Sequence, residues 1–296
     1  MEYVNEKLNE FNDYIRFRKV AVIGMGVSNL PLLDYLYEKK ANVTIFDEKD
    51  LDSISDDIME KIREYGFQFH FGENCLEYLK NFNLIFRSPS CLPTRKELNA
   101  ILKHAGYSTF LGGNIGTPLF TRLNEMKPSD VVVLELSSFQ LMGMEVSPHI
   151  AVITNITPNH LNIHKDYQEY IDAKKNIFKY QDENGLLVLN YDNEITRECA
   201  KEAHGKVIFF SSKTKLDNGY IVDEDVIKEC DDKVRKHILN TEDVILRGNH
   251  NYQNIATAIA TTASLVDIET AVKAIKEFKP VEHRIEFVEE VDGVKW

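Results

Sequence analysis

The chain has 296 residues, 43% hydrophobic and 28% charged, which suits a globular protein of two domains with room for a sizeable core. Asp+Glu 47 against Lys+Arg 35 leaves a formal net charge of -12, which argues against a nucleic acid or an acidic membrane surface as the main partner. The four cysteines, Cys75, Cys91, Cys199 and Cys230, are scattered without a C-x-x-C pair, which argues against a disulfide framework or a zinc site and fits a reducing cytosol. The polar, amphipathic N-terminus does not read as a signal peptide, and no apolar run is long enough to span a bilayer.

Lys19–Gly24 (KVAVIG) reads as a strand that empties into Gly24-Met25-Gly26-Val27-Ser28-Asn29. A helical pattern follows to about Lys39, then a second strand, Asn42–Phe46, ending on Asp47. Glycines let the backbone turn tightly against a ligand, a helix N-terminus favours phosphate, and an acid roughly 20 residues on can meet a ribose hydroxyl. Asn29 stands where the dinucleotide fingerprint has its third glycine. Nicotinamide binding, another nucleotide and a purely structural turn all stay open at this point. Leu84–Phe86 is a further strand, followed by Ser88-Pro89-Ser90, and Pro93–His104 is helical in its middle. A short strand, Thr109–Leu111, leads into Gly112-Gly113-Asn114-Ile115-Gly116-Thr117-Pro118. Clustered glycines beside an asparagine leave backbone amides and a carboxamide to face a ligand, unless the run is only a tight connection.

Asp130–His164 organises the rest. Val131–Leu134 and Ile150–Thr154 are apolar, β-branched runs that read as strands of a parallel sheet, buried on both faces. The first runs into Glu135-Leu136-Ser137-Ser138-Phe139-Gln140, the second into Asn155-Ile156-Thr157-Pro158-Asn159-His160. Ligands of open α/β sheets sit outside the carboxyl ends of the strands. Glu135 and His160 are therefore a candidate metal or acid–base pair, against the alternative of a solvated acid and a satisfied loop histidine. Asp166–Gln181 has helical spacing and carries Lys174 and Lys175. Gly185–Asn190 and Lys206–Phe210 read as strands, and Asn218–Val226 and Asp243–Leu246 as edge strands or hairpin pieces. Arg247–Asn254 opens an Ala-rich helix, Ile255–Val266. Asn251 and Asn254 share a face there, as caps or around a nucleotide. A last helix, Ile268–Phe278, is followed by Glu282-His283-Arg284 and a strand-like Ile285–Val291.

Taken together, GGNIGTP (Gly112–Pro118), ELSSFQ (Glu135–Gln140), TNITPNHLNIH (Thr154–His164), AKKNIF (Ala173–Phe178), GNHNYQNIATA (Gly248–Ala258) and EHR (Glu282–Arg284) resemble the Mur ligases. The nearest likeness is to the branch that adds D-glutamate to UDP-N-acetylmuramoyl-L-alanine. Each motif is weak alone; the ordered set covers nearly the whole chain. The resemblance implies an α/β protein in three parts. Residues 1–92 would be a Rossmann-like domain holding the uridine diphosphate, 93–280 an incomplete central ATPase-type domain, and 281–296 the start of a truncated third domain. It implies a cytoplasmic ligase of peptidoglycan synthesis, monomeric, using ATP and Mg2+ to activate the substrate carboxylate as an acyl phosphate.

By position, the resemblance assigns Met25, Gly26, Val27, Ser28, Asp47, Ser88 and Pro89 to the uridine diphosphate. Asn114, Ser137 and Gln140 would touch the muramoyl-alanine part, and Asn251, Asn254 and Arg284 would surround ATP. Glu135, His160 and a carbamylated Lys174 would hold magnesium, with Lys174, His160 and Asn114 closest to the chemistry. Two departures stand out: Ser90 replaces the usual glycine of SPG, and Asn162 replaces the aspartate of HLD.

The resemblance also shows a gap. A family member carries a G-x-x-x-x-G-K-[ST] phosphate loop, and no such run occurs in this sequence. A few tens of residues are expected to be missing at a junction near Ala100–Ile101, taking a central strand with them and leaving its neighbours to re-pair. Beyond Trp296 a member would continue into the domain that carries the D-glutamate site. The expectation is weak ATP binding and poor or absent ligation. The competing readings are a catalytically inactive UDP-sugar-binding fragment and, on Gly24–Asp47 alone, an NAD-dependent oxidoreductase.

Overall fold

The computed structural model describes residues 5–25, 29–47, 49–72, 75, 82–87, 96–114, 118–159, 164–232, 234–278, 290–291 and 294–295. The chain divides into two compact units, Met1–Pro93 with Phe110–Glu135, and Thr94–Thr109 with Leu136–Trp296.

The first unit opens with α1 (Glu6–Ile15), capped by Asn5, whose side chain accepts from Leu8 N. Then come β1 (Lys19–Ile23), α2 (Leu30–Glu38), β2 (Asn42–Asp47), α3 (Asp56–Glu64), β3 (Gln68–Phe71) and β4 (Leu84–Arg87). The four strands form a parallel sheet in the order β3-β2-β1-β4. β1 is central, and its Val20, Ala21 and Val22 are fully buried. Such a run, apolar on both sides, is what a strand covered on two faces requires. Met59 and Ile62 of α3 and Leu33 and Leu36 of α2 complete the core.

After α4 (Lys96–His104), β5 (Thr109–Gly113) and β6 (Val131–Glu135) pair with each other in a sheet of two strands. Phe120, between them, meets Tyr35, Phe86 and Phe11 edge-on at 5.0, 5.4 and 5.5 Å. This aromatic cluster fastens the segment to the first unit. Here the structure corrects one expectation. β6 is not buried on both faces: Val133 is buried, but Val132 and Leu134 are 42% and 48% exposed. Among the described residues its single strand neighbour is β5.

The second unit continues with α5 (Ser138–Leu141), β7 (Ile150–Ile153), α6 (Tyr167–Lys179), β8 (Leu186–Asn190), α7 (Glu194–Cys199), β9 (Lys206–Ser211), β10 (Gly219–Asp223), β11 (Val226–Asp231), β12 (Val234–Asn240), α8 (Asn249–Thr262) and α9 (Ile268–Glu277). Its sheet has the order β12-β11-β10-β9-β8-β7. β7 through β10 run parallel, while β11 and β12 are antiparallel. β8 (LLVLN) is buried at every position. β7 lies at the sheet's edge and alternates half-buried with buried residues, so it too departs from the expected double burial. β6 and β7 thus belong to different sheets.

Two segments read as edge strands or hairpin pieces have different outcomes. β10, within the expected Asn218–Val226, is a hairpin piece, pairing antiparallel with β11, and is interior rather than an edge, with β9 on its other side. Asp243–Leu246 is not a strand. Val244 and Leu246 are buried and Ile245 is exposed, a strand-like alternation, but the segment pairs with no strand among the described residues.

The expected junction, Ala100–Ile101, falls in the middle of α4, which is one continuous helix. Ile101 and Leu102 are 0% and 2% exposed and α4 packs on α8 and α9. Tyr107 OH donates to Leu265 O at 3.0 Å just after it. In α8 the buried Thr257, Thr261 and Thr262 hydroxyls donate back to the carbonyls of Gln253, Thr257 and Ala258, which lets a threonine-rich helix enter the core. Of Ile285–Val291 only residues 290–291 are described; they pair with 294–295.

Candidate functional site

In the first unit the turn after β1 is braced from two sides. Gly24 has φ +85 and its N–H donates to Phe46 O at 2.7 Å. Asp47, at the end of β2, accepts from Met25 N at 2.7 Å through Oδ2 and from Lys49 N at 3.0 Å through Oδ1. Asn29 is buried, and its Nδ2 donates to Ile23 O at 3.0 Å and Gly24 O at 2.7 Å. The residue that spoils the dinucleotide fingerprint is therefore a clasp across the mouth of the turn. Met25 and Asp47, two of the candidate residues, are hydrogen-bonded neighbours. Gly26, Val27 and Ser28 lie outside the described residues, as do Ser88 and Pro89.

At the end of β5, Asn114 N donates to Glu135 O at 2.7 Å, so these two candidate residues are neighbours through the backbone. Gly113 explains part of the glycine cluster. Its φ is +96, and a Cβ there would lie 2.2 Å from Glu135 O. Gly113→Ala is predicted to lower stability by about 1–3 kcal/mol through strain and displacement of β6. Unfolding in urea checks this, and an unchanged midpoint would contradict it.

In the second unit Ser137 and Gln140 form a capping box on α5. Gln140 N donates to Ser137 Oγ at 3.3 Å and Ser137 N to Gln140 Oε1 at 2.9 Å. The S-x-x-Q spacing carried that signal in the sequence. Lys174 is half-buried on α6 with Nζ 5.6 Å from the centre of the Tyr170 ring. Burial holds the Tyr170 phenol above its ordinary value, with Tyr167 adding to it. Lys175 is different. Burial lowers its ammonium, but Glu202, 2.6 Å away, outweighs that and leaves the pKa raised.

α8 starts at Gly248 (φ +96), which offers no side-chain cap. Asn251 Nδ2 donates to Arg247 O at 2.7 Å, and Asn254 lies in the same first turns. Gln253, which the sequence reading passed over, donates from Nε2 to Ser212 Oγ, tying the helix start to the loop after β9. His160 and Arg284 lie outside the described residues. Among the described residues no three His, Cys, Asp or Glu side chains gather for a metal. Magnesium prefers oxygen ligands. Glu135 supplies one carboxylate and an unmodified Lys174 supplies a cation, so the described donors do not compose a magnesium site.

Comparison with known proteins gives the lineage. Residues 18–107 match the Mur ligase MurD-like N-terminal domain and residues 94–262 the Mur ligase middle domain. The solved structure of UDP-N-acetylmuramate:L-alanyl-gamma-D-glutamyl-meso-diaminopimelate ligase from Neisseria meningitides superposes with TM-score 0.59 at 16% identity, covering 90% of this chain and 99% of that one. MurF from Acinetobacter baumannii gives TM-score 0.53 at 15% identity over 93% of this chain and 66% of that one. Both similarities speak for the fold.

The chain is 40% identical over 334 residues to the UDP-N-acetylmuramoylalanine--D-glutamate ligase of Clostridium novyi (strain NT), covering 99% of this chain and 72% of the relative. It is 39% identical, with the same coverage, to the ligase of that name from Acetivibrio thermocellus. An alignment of 334 positions against 296 residues leaves at least 38 positions where the relative has a residue and this chain has none, which fits an internal gap. On these matches the chain belongs to the Mur ligase family, on the branch of its D-glutamate-adding members.

Proposed function

We propose that this chain recognises UDP-N-acetylmuramoyl-L-alanine as part of an ATP-dependent, D-glutamate-adding ligase of peptidoglycan synthesis, with its phosphoryl-transfer step impaired. The observation that carries the reading is the 40% identity to enzymes of that name running over 99% of the chain. The chemistry explains the residue types. A carboxylate is a poor electrophile, so ATP turns it into an acyl phosphate; the amine of D-glutamate then attacks and phosphate leaves. Phosphoryl transfer depends on positioning and charge neutralisation more than on covalent help.

In this reading the turn at Met25, Gly26, Val27 and Ser28, with Asp47, Ser88 and Pro89, takes the uridine diphosphate. Asn114, Ser137 and Gln140 take the muramoyl-alanine part, and Asn251, Asn254 and Arg284 take ATP. Residues 1–92 would be the uridine-diphosphate domain, 93–280 the central domain and 281–296 the opening of a third, with 110–135 packed on the first. Magnesium belongs to the proposal only with Lys174 carbamylated, beside Glu135 and His160; it would then offset negative charge on the phosphates. A cytoplasmic location is part of this reading; among the described residues no helix is long and apolar enough to cross a membrane. A monomer is the proposed state.

Calorimetry with UDP-N-acetylmuramoyl-L-alanine tests the reading: binding without ATP is expected, and no detectable heat at high concentration would sink it. An NAD-dependent oxidoreductase predicts instead a change in NADH fluorescence on mixing, which is not expected. Asp47→Ala removes the acceptor of two backbone N–H groups. We predict about a tenfold loss of affinity for UDP from that lost bracing. Unchanged UDP affinity in this variant would show that the braced turn does not hold the nucleotide.

A further inference from the structure

His164 is a buried, titratable side chain to which neither the family likeness nor the reaction assigns a task. It is 2% exposed. Its Nε2 lies 2.9 Å from Ser138 Oγ, and its Nδ1 3.4 Å from Glu169 Oε2. The ring lies parallel to Phe139 at 5.0 Å and 7°, and meets Tyr170 edge-on at 5.3 Å and 77°. The order serine, imidazole, carboxylate is that of a nucleophile relay. Yet Ser138 is itself 2% exposed, so no substrate carbonyl reaches its Oγ. The arrangement instead joins two elements. On one side stands the α5 turn with Ser137 and Gln140. On the other stands α6, where Tyr170 carries the cluster one helical turn on to Lys174, whose Nζ lies 5.6 Å from its ring centre. Asn176 of α6 makes a second tie, donating from Nδ2 to Leu141 O at 2.9 Å. Along the chain, His164 also ends the segment that contains His160.

We propose that His164 is a positioning residue: through Ser138 and the Phe139–His164–Tyr170 stack it fixes the Ser137–Gln140 turn relative to the face of α6 that bears Lys174. The inference rests on the reading that Ser137 and Gln140 meet the muramoyl-alanine part of the substrate. Side chains held by packing and hydrogen bonds to a fixed neighbour keep binding groups within the few tenths of an ångström that recognition needs. Of the variants, His164→Phe keeps a ring in the stack and loses the tie to Ser138. Adding Ser138→Ala removes the hydroxyl that His164→Phe strands, a loss of both partners that costs little stability. His164→Gln keeps an amide near the Nε2 position.

The test is calorimetry of the full chain with UDP-N-acetylmuramoyl-L-alanine and with UDP alone, beside thermal melts. His164→Phe/Ser138→Ala is expected to melt near the parent, bind UDP as the parent does, and bind the full substrate about tenfold more weakly. His164→Gln is expected to recover most of that loss. Full-substrate affinity equal to the parent's in the double variant overturns the proposal, as does an equal loss for UDP alone, which would mark a general structural effect. Ser137→Ala and Gln140→Ala serve as the control on the underlying reading. If neither weakens full-substrate binding, that reading falls, and the role of His164 in substrate binding falls with it. If they do and the His164 variants do not, the positioning role alone is lost.

Discussion

Supplied with UDP-N-acetylmuramoyl-L-alanine, D-glutamate, ATP and magnesium, the purified chain is expected to release phosphate at about a thousandth of a relative's rate or less. The magnitude follows from what a phosphate loop does. Its backbone N–H groups and lysine meet the phosphates where charge develops, and losing a single preorganised donor already slows a reaction by about 10²–10³. This sequence contains no G-x-x-x-x-G-K-[ST] run. At least 38 positions of its relative have no counterpart in it. Binding of the uridine-linked substrate should survive, because the turn that would take it lies in the first unit and is braced by Asp47 and Asn29. A phosphate-release assay run beside a full-length relative decides the matter. Turnover within tenfold of that relative would mean that another part of the chain cradles the phosphates.

Ile101→Ala is expected to destabilise the second unit by about 2–5 kcal/mol, among the largest single-residue effects in the molecule. Ile101 is fully buried on α4, which packs against α8 and α9. Chemical denaturation followed by circular dichroism measures the cost. A loss below about 1 kcal/mol would mean that α4 contributes little packing in solution.

Much of the fold was legible because its parallel strands are nearly pure apolar runs. KVAVI in β1 and LLVLN in β8 could hardly be anything else once bounded by polar turns. The β11–β12 hairpin was not legible. VIKECD and VRKHILN mix charges into every apolar pair, because β12 is an edge strand with Arg235, Lys236 and His237 exposed. Charge on an edge discourages pairing with other chains and at the same time hides the strand from a hydrophobicity scan. The pairing of β6 with β5 was legible only as a general expectation that neighbouring strands would re-pair, because no residue pattern in either run specifies its partner. At the candidate site, residue identities were readable but their local duties were not. Ser137 and Gln140 looked like ligand contacts and are also a helix cap, and Asn29 looked like a defect and is a brace.

That brace bears on how a nucleotide would be received. Asn29 ties itself to the carbonyls of Ile23 and Gly24, and Asp47 ties down Met25. The described ends of the turn are thus preorganised, and ordering those residues would cost a ligand little conformational entropy. Discrimination among uridine nucleotides would then arise from direct contacts to base and sugar, and a weaker analogue should differ from the natural one mainly in how fast it leaves.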